Sequence, residues 1–502
     1  MTGSLALPTP RQFSGAMKTT GFAAGLTLYA ALAAATAIIL PVAAPVFLAP
    51  IAIAIIAAAP QGRAVPQRLA ISLVMLAAFL LPVWPVYLHL KIGPAPIITP
   101  TRLVMYALTV LWAYDMTFSP LRRGQFVFAI RRSGWITGFV LALFGLGLLS
   151  LPMAEGRSVS IPEFFRHVII WLLPYCAVLT YVRRQRDMAL ALKVFAIGGF
   201  IVAAIAVAEA ASGQLLAHLL SPFIDNSAEW LRNAQAQKIR DGVFRAQAIH
   251  THPLSLGEHL ALTAPLALSF GLSARRLRVR ALWGAALVVI VLGAVATNSR
   301  GAMLATAISL SVAVAIVAWR ALRRTSASKY RPLAGLMLLC CIAASPVMMI
   351  GAYGVVTGKG GEGVANSTQS RVDQMEMALP KIMKRPVGGY GVGRAARVLG
   401  YWGRMLTIDN YYLSLALDLG IPGPLTFLAM MIALAATSLR RSRTSHPTLA
   451  VIYVGCFASA CVIAVSRSII SQTGNLSIIF FLLAVIAGAS ATFSRRRSRN
   501  VI

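Results

Sequence analysis

The chain has 502 residues, of which 58% are hydrophobic and only 12% charged, and its mean hydropathy is +0.75. That excludes an ordinary water-soluble globular protein, in which about a quarter of residues are charged. A net charge of +32 would point to nucleic acid in a soluble chain, but most of the lysines and arginines sit in short clusters between long apolar runs, the distribution that orients membrane helices.

The expected class is therefore an all-α polytopic membrane protein with no nucleic-acid partner. Apolar runs predict about fourteen crossings, near 21–40, 43–59, 69–87, 103–119, 134–152, 167–182, 188–211, 253–272, 281–298, 301–319, 332–355, 411–437, 449–465 and 476–494. The first run is followed at once by a second, so it reads as a retained anchor rather than a cleaved signal. With the N-terminus in the cytoplasm, the clusters Arg122–Arg132, Arg183–Arg186, Arg275–Arg280, Arg320–Arg331, Arg440–Arg443 and Arg495–Arg499 all fall inside. Two long segments, 212–252 and 356–408, then fall outside. The chain divides into N-terminal helices (1–211), an outer loop (212–252), central helices (253–355), a second outer loop (356–410), and C-terminal helices with a basic tail (411–502). The five cysteines lie in apolar runs and read as small core residues. No inverted repeat of broken helices is evident, which weakens a transporter reading.

Three outer groups carry candidate chemistry. In the first, Arg240, Arg245, His250 and His252 precede Pro253 at a helix start, and Glu258 and His259 lie inside that helix. The i,i+7 spacing stacks His252 and His259 on one face. An ionisable residue within a span is a functional candidate, although Glu258 paired with an arginine would merely hold helices together. The second is Arg300, alone between Arg280 and Arg320, where two spans meet with almost no loop. It suits bidentate phosphate binding better than simple snorkelling. The third runs from Arg371 through Asp373 and Glu376, at the spacing of an amphipathic interfacial helix, to Asp409 and Asn410. The glycine runs at 358–363 and 388–393 read as flexible loop. The surplus of bases between Lys359 and Arg404 calls for an anion outside. At the polar pair, Asp409 is either a helix N-cap, with Asn410 in the first turn, or a functional carboxylate. No spacing of metal ligands is present.

These pieces together resemble the O-antigen ligase and polysaccharide polymerase family. The resemblance rests on Ser299-Arg300-Gly301, on His252-Pro253 with Leu256-Gly257, on the loop Pro386 to Gly393, and on Asp409-Asn410 followed after nine residues by Gly420-Ile421-Pro422-Gly423. It covers about 240–430. Lipopolysaccharide ligases commonly carry His where Asp409 stands, so the pair looks more like the polymerase branch. The resemblance implies a multi-span (GT-C-like) glycosyltransferase of the bacterial inner membrane. It would face the periplasm and need neither metal nor cofactor. It would join undecaprenyl-diphosphate-linked glycans, donor and acceptor, alongside chain-length-regulating and export proteins. It also implies that Arg300, Arg245 and Arg371 hold the diphosphate. Asp409 would be the base, with Asn410 and His252 beside it and Glu258, His259 and Arg240 in support. Ligation to a lipid A-core or other acceptor is the alternative within the same chemistry. A lipid-linked oligosaccharide flippase is the alternative of another class, and a structural scaffold is a third.

Overall fold

The structure is a computed structural model. It describes residues 62–90, 97–218, 232, 236–240, 242–323, 331–357, 362–400, 408–470 and 473–491. The spans expected at 21–40 and 43–59, the tail Arg495–Arg499, Lys359 and Arg404 lie outside the described residues. From Gly62 onward the chain forms one compact unit.

The helices follow in order: α1 (Gln67–Val83), α2 (Pro100–Phe118), α3 (Pro120–Ser133), α4 (Trp135–Ser150), α5 (Arg157–His167), a π turn (Val168–Leu172), α6 (Leu173–Tyr181) and α7 (Gln185–Ser212). A hairpin of β1 (Lys238–Arg240) and β2 (Val243–Arg245) pairs Lys238 with Arg245 and Arg240 with Val243. Then come α8 (Pro253–Ser273), α9 (Leu277–Ala296), α10 (Arg300–Arg323), α11 (Arg331–Thr357), α12 (Glu362–Lys384), α13 (Ala395–Leu399), α14 (Tyr411–Leu419), α15 (Pro422–Thr444), α16 (Pro447–Ser466) and α17 (Leu476–Ala491). Proline opens α2, α3, α8, α15 and α16 at a first-turn position. There its missing N–H costs nothing and its φ suits the helix.

Among the described residues, eight helices are long and apolar enough to cross a bilayer. The pair α3–α4, bent by 99° at Gly134, makes a ninth. The expectation of about fourteen includes two that lie outside the described residues, and among the rest two expected boundaries change. The span expected at 167–182 begins earlier, as Arg157–Tyr181 with the π turn inside it. The span expected at 411–437 is two helices. Gly420, at φ 77°, ends α14, and Pro422 starts α15 afresh. Asp409 and Asn410 therefore stand before a nine-residue helix rather than at the mouth of a membrane span.

The core is built around α8, which is buried along nearly its whole length and packs on α7, α9, α10 and α16. Small residues allow the close approach, as is usual where helices pack within a bilayer. A Cβ on Gly257 would come within 2.2 Å of the Ala302 Cβ, so α10 lies directly against the first turns of α8. All five cysteines are free, as expected. Cys176 and Cys456 are buried, whereas Cys340 is exposed on α11 among exposed leucines.

Hydrogen bonds between connecting segments define two ends. At one end, Ala246 N–H donates to Ala296 O, Glu155 N–H to Tyr390 O, and Tyr411 N–H to Arg467 O. At the other lie the short arginine-rich turns. There Asp115 is buried, pairs with Arg122 at 3.3 Å, and accepts from Tyr181 Oη and Val65 N. Arg320 also donates to Ser442 Oγ at 2.6 Å. In a protein whose five native cysteines are replaced by serine, single cysteines at Gln369 and Thr444 should label from opposite sides of the membrane with an impermeant maleimide. Labelling of both from one side would contradict this arrangement of ends.

Candidate functional site

The site is assembled at the start of α8. His252 is the N-cap, and its Nδ1 accepts from Leu254 N at 3.1 Å. A neutral ring whose Nδ1 accepts carries its proton on Nε2. Burial, reinforced by the charges of Arg245 and Lys238, pushes His252 down to about 3, so it stays neutral and presents Nε2–H as a donor. The expected stack of His252 on His259 does not form. His250 takes that place, its Nε2 3.1 Å from His259 Nδ1, because the chain turns back through Ala248, at φ 47°. Glu209, buried at the end of α7, holds that turn by accepting from the amides of Leu216, Gln247 and Ala248.

One turn into α8, Glu258 is fully buried and paired. Its Oε2 lies 2.6 Å from Arg467 Nη2 and 2.9 Å from Asn475 Nδ2, and its Oε1 accepts from Ser466 Oγ at 2.7 Å. Glu258 thus joins α8 to the 466–475 turn, the structural role weighed for it. Arg467 was not singled out by sequence. A charge just past an apolar run looks like an ordinary helix exit, and only the fold buries it completely. Its backbone carbonyl accepts from Tyr411 N at 2.9 Å, and its guanidinium lies 5.4 Å from the centre of the Tyr411 ring. The residue after Asn410 is therefore tied to the Glu258 pair.

The bases arrive from two directions. Arg245, buried on β2, donates from Nε to Thr297 O at 3.1 Å. That fixes the hairpin on the α9–α10 turn, where Asn298 adopts φ 45° and exposed Arg300 opens α10. A Cβ on Gly301 would come within 2.8 Å of Ile469 Cδ1, which sets Arg300 beside the Arg467 turn. From the other direction, α12 presents Arg371 and buried Gln374 three residues apart. Gln374 Oε1 accepts from Asp409 N at 2.9 Å. Burial lowers the pKa of Arg371, with Asp409 opposing and Arg240 adding to the shift. Arg245 is lowered to about 10, again by burial and then by Arg240. Both remain cations at neutral pH. Arg240, Arg245, Arg371, His252 and Asp409 thus share one electrostatic neighbourhood, while His259 lies buried below it with His250.

The structure assigns the cap to Asn410, not Asp409: Asn410 Oδ1 accepts from Leu413 N at 3.2 Å. The Asp409 carboxylate makes no hydrogen bond to a described residue. Burial raises its pKa above the ordinary aspartate value, and the nearby Arg371 opposes the shift. A cavity of about 900 Å³ is lined by Ile408 and Thr251, the residues just before Asp409 and His252, though not by Asp409 or His252 themselves.

The glycine run at 388–393 is a built turn, not a flexible loop. Gly388, Gly389, Gly391 and Gly393 all have positive φ. The amides of Gly393, Arg394 and Ala395 donate to the Asp418 carboxylate at 2.6 to 2.9 Å. This row of amides therefore holds the chain's own anion. Several bases expected to call for an outer anion are likewise taken up internally. Lys381 donates to Val398 O and Leu399 O, Arg385 pairs with Glu155 at 3.0 Å, and Arg394 packs against Gly156. On α12, Val372, Met375, Leu379 and Met383 form an exposed apolar stripe, set apart from the buried side that carries Gln374. Among the described residues, no group of three His, Cys, Asp or Glu side chains is arranged to hold a metal ion.

Compared with known families, residues 285–428 match the one described as O-antigen ligase. The matched stretch includes Arg300, Arg371, the 386–393 turn and Asp409-Asn410, and excludes Arg240, Arg245, His252, Glu258 and Arg467. No curated protein matches the chain significantly.

Removing one partner of a buried ion pair costs about 3–5 kcal/mol. Arg467→Met should therefore lower thermal stability sharply, and Glu258→Leu/Arg467→Met should lose much less than the two single losses combined. Additive losses in thermal unfolding would contradict the pairing. At the polar pair, Asn410→Ala should cost about 1 kcal/mol as a lost cap, while Asp409→Asn should leave stability near wild type.

Proposed function

We propose that this polytopic membrane protein, whose residues 285–428 form a domain of the O-antigen ligase family, polymerises undecaprenyl-diphosphate-linked oligosaccharide repeat units on the periplasmic face of the bacterial inner membrane. Membership supports transfer of a lipid-linked glycan in general terms. The finer reading rests on one observation: a carboxylate relieved of capping, Asp409, stands in the field of Arg371, which itself feels Arg240, and the residue before it lines a large cavity.

In this reading an acceptor sugar hydroxyl attacks the donor's anomeric carbon. Its proton passes to Asp409 as the new glycosidic bond forms. The bond from the anomeric carbon to the diphosphate breaks, and the diphosphate departs on its lipid. Arg300, Arg245 and Arg371 stabilise the charge that develops there, as preorganised cations do in a site shielded from water. His252 contributes its Nε2–H as a donor, Asn410 fixes the start of α14, and Glu258 with Arg467 holds the frame. The exposed apolar stripe of α12 suits a helix lying in the outer membrane surface, which would bring Arg371 level with lipid headgroups. The arginine-rich turns at the opposite end of the bundle support a cytoplasmic placement for that end. The chemistry is proposed to run without metal. Ligation to a lipid A-core or other acceptor would use the same residues.

The deciding measurement is the size of surface and secreted polysaccharide in cells expressing the variants. Asp409→Asn should fold normally yet reduce polymer by on the order of a hundredfold, since an amide cannot take the proton. Normal polymer would remove Asp409 as the base. Single repeats left on lipid in the deletion strain indicate a polymerase, and finished polymer left on its carrier indicates a ligase. Because burial raises the pKa of Asp409 and a base must be ionised, activity should fall with decreasing pH at values above the ordinary aspartate pKa of about 3.9. Arg300→Lys should be as damaging as Arg300→Ala, because an ammonium cannot reproduce the guanidinium fork. Full activity with lysine would leave Arg300 no bidentate role.

A further inference from the structure

The cavity beside Asp409 has a wall that the mechanism above does not use. Arg102, in the first turn of α2, and Arg166, near the end of α5, both line it. The two are close enough for the charge of Arg166 to act on Arg102. Arg102 is held by a hydrogen bond from Nη1 to Ile97 O at 2.8 Å. Among the described residues, no carboxylate lines the cavity. The acid that partners Arg166 is Glu163, which is shared with His167 at 3.2 Å and lines the adjoining cavity, the two cavities meeting at His167, Trp171, Ala396, Ser414 and Thr473. Two neighbouring guanidinium groups facing one space with a single, shared counter-charge leave it net positive. The rest of the wall suits a sugar: the rings of Trp84 and Tyr106 supply apolar faces and Thr251 a hydroxyl. A volume of about 900 Å³ lies at the upper end for small-ligand sites. Immediately after Arg166 and His167 the helix forms the π turn Val168–Leu172, a distortion often found at functional sites. Trp84, Arg102, Tyr106 and Arg166 lie far in sequence from the diphosphate arginines, and all four fall outside residues 285–428.

We infer that this cavity is a glycan subsite selective for an acidic sugar, one whose carboxylate faces Arg102 and Arg166 while its ring lies against Trp84 or Tyr106. The inference rests on the glycosyltransferase reading and narrows it to repeat units that contain a uronate or similar acidic residue. It predicts that part of the substrate's recognition is electrostatic and separate from the recognition of the lipid diphosphate.

The test uses the full chain in lipid nanodiscs and a panel of uronate-containing oligosaccharides, each paired with its carboxyl-reduced neutral form. At least one acidic member should bind about tenfold more tightly than its reduced partner, the scale of one charge-assisted contact. Arg166→Gln, at a half-exposed side chain the fold can spare, should shrink that ratio, and Arg102→Gln/Arg166→Gln should bring it to one. Binding of undecaprenyl diphosphate should survive in both variants and fall in Arg300→Ala. Absence of any acid preference across the panel, or a preference that persists in the double variant, overturns the inference. So does loss of lipid diphosphate binding in Arg166→Gln, which would give this wall to the headgroup. A preference that holds while Asp409→Asn still makes normal polymer would uphold the subsite and refute the proposed role of Asp409, so the two readings fail separately.

Discussion

The buried pair of Glu258 and Arg467 is the contact on which the site depends. Neither charge reaches water, so each is tolerable only because the other, with Ser466 and Asn475, satisfies it. The pair fixes the start of α8 against the turn that follows α16. The carbonyl of Arg467 then fixes the amide of Tyr411, and with it the two residues just before. Through one ion pair, the helix that begins with His252-Pro253 and the helix that begins after Asp409-Asn410 are held in one register.

A second constraint is the disposal of charge at the end of the bundle where these segments meet. The bilayer interior gives no help with polar groups, so charges near it are paired or capped wherever the fold allows. Asp418 sits in a row of backbone amides, Glu209 takes three more, and Lys381 and Arg385 are committed to carbonyls and to Glu155. Against that background the Asp409 carboxylate makes no hydrogen bond to a described residue. Asp409 caps nothing, Arg371 stands in its field, and Arg300 is exposed at the tip of a tight turn. Arg102 and Arg166, held by Ile97 O and Glu163, line one cavity. In the proposed reading, Arg300, Arg245 and Arg371 would meet a diphosphate and the wall of Arg102 and Arg166 an acidic sugar.

Gln374 shows how indirect this positioning is. It lies three residues from Arg371 on α12, is buried, and accepts the amide of Asp409. The helix that carries the arginine therefore also carries the residue that places the carboxylate. The exposed apolar stripe lies on the same helix, so α12 carries Arg371, the residue that places Asp409, and an exposed apolar face together.

Composition alone determined the class of this protein, because 58% hydrophobic residues in runs of bilayer length admit few other folds. His252-Pro253, Arg300 and Asp409-Asn410 could be singled out as polar interruptions of apolar runs, and His252 and Asn410 prove to be helix caps. The tertiary structure decided matters of partnership. Asn410 rather than Asp409 caps α14, and His250 rather than His252 meets His259, because both depend on where an irregular backbone turns. Arg467 could not be told from an ordinary helix exit until its distant partner was in place. The glycine turn could not be told from a loose loop until Asp418 closed it. Periodicity reports which face a residue occupies, but a buried charge is defined by a neighbour more than 200 positions away, and only the packed chain supplies it.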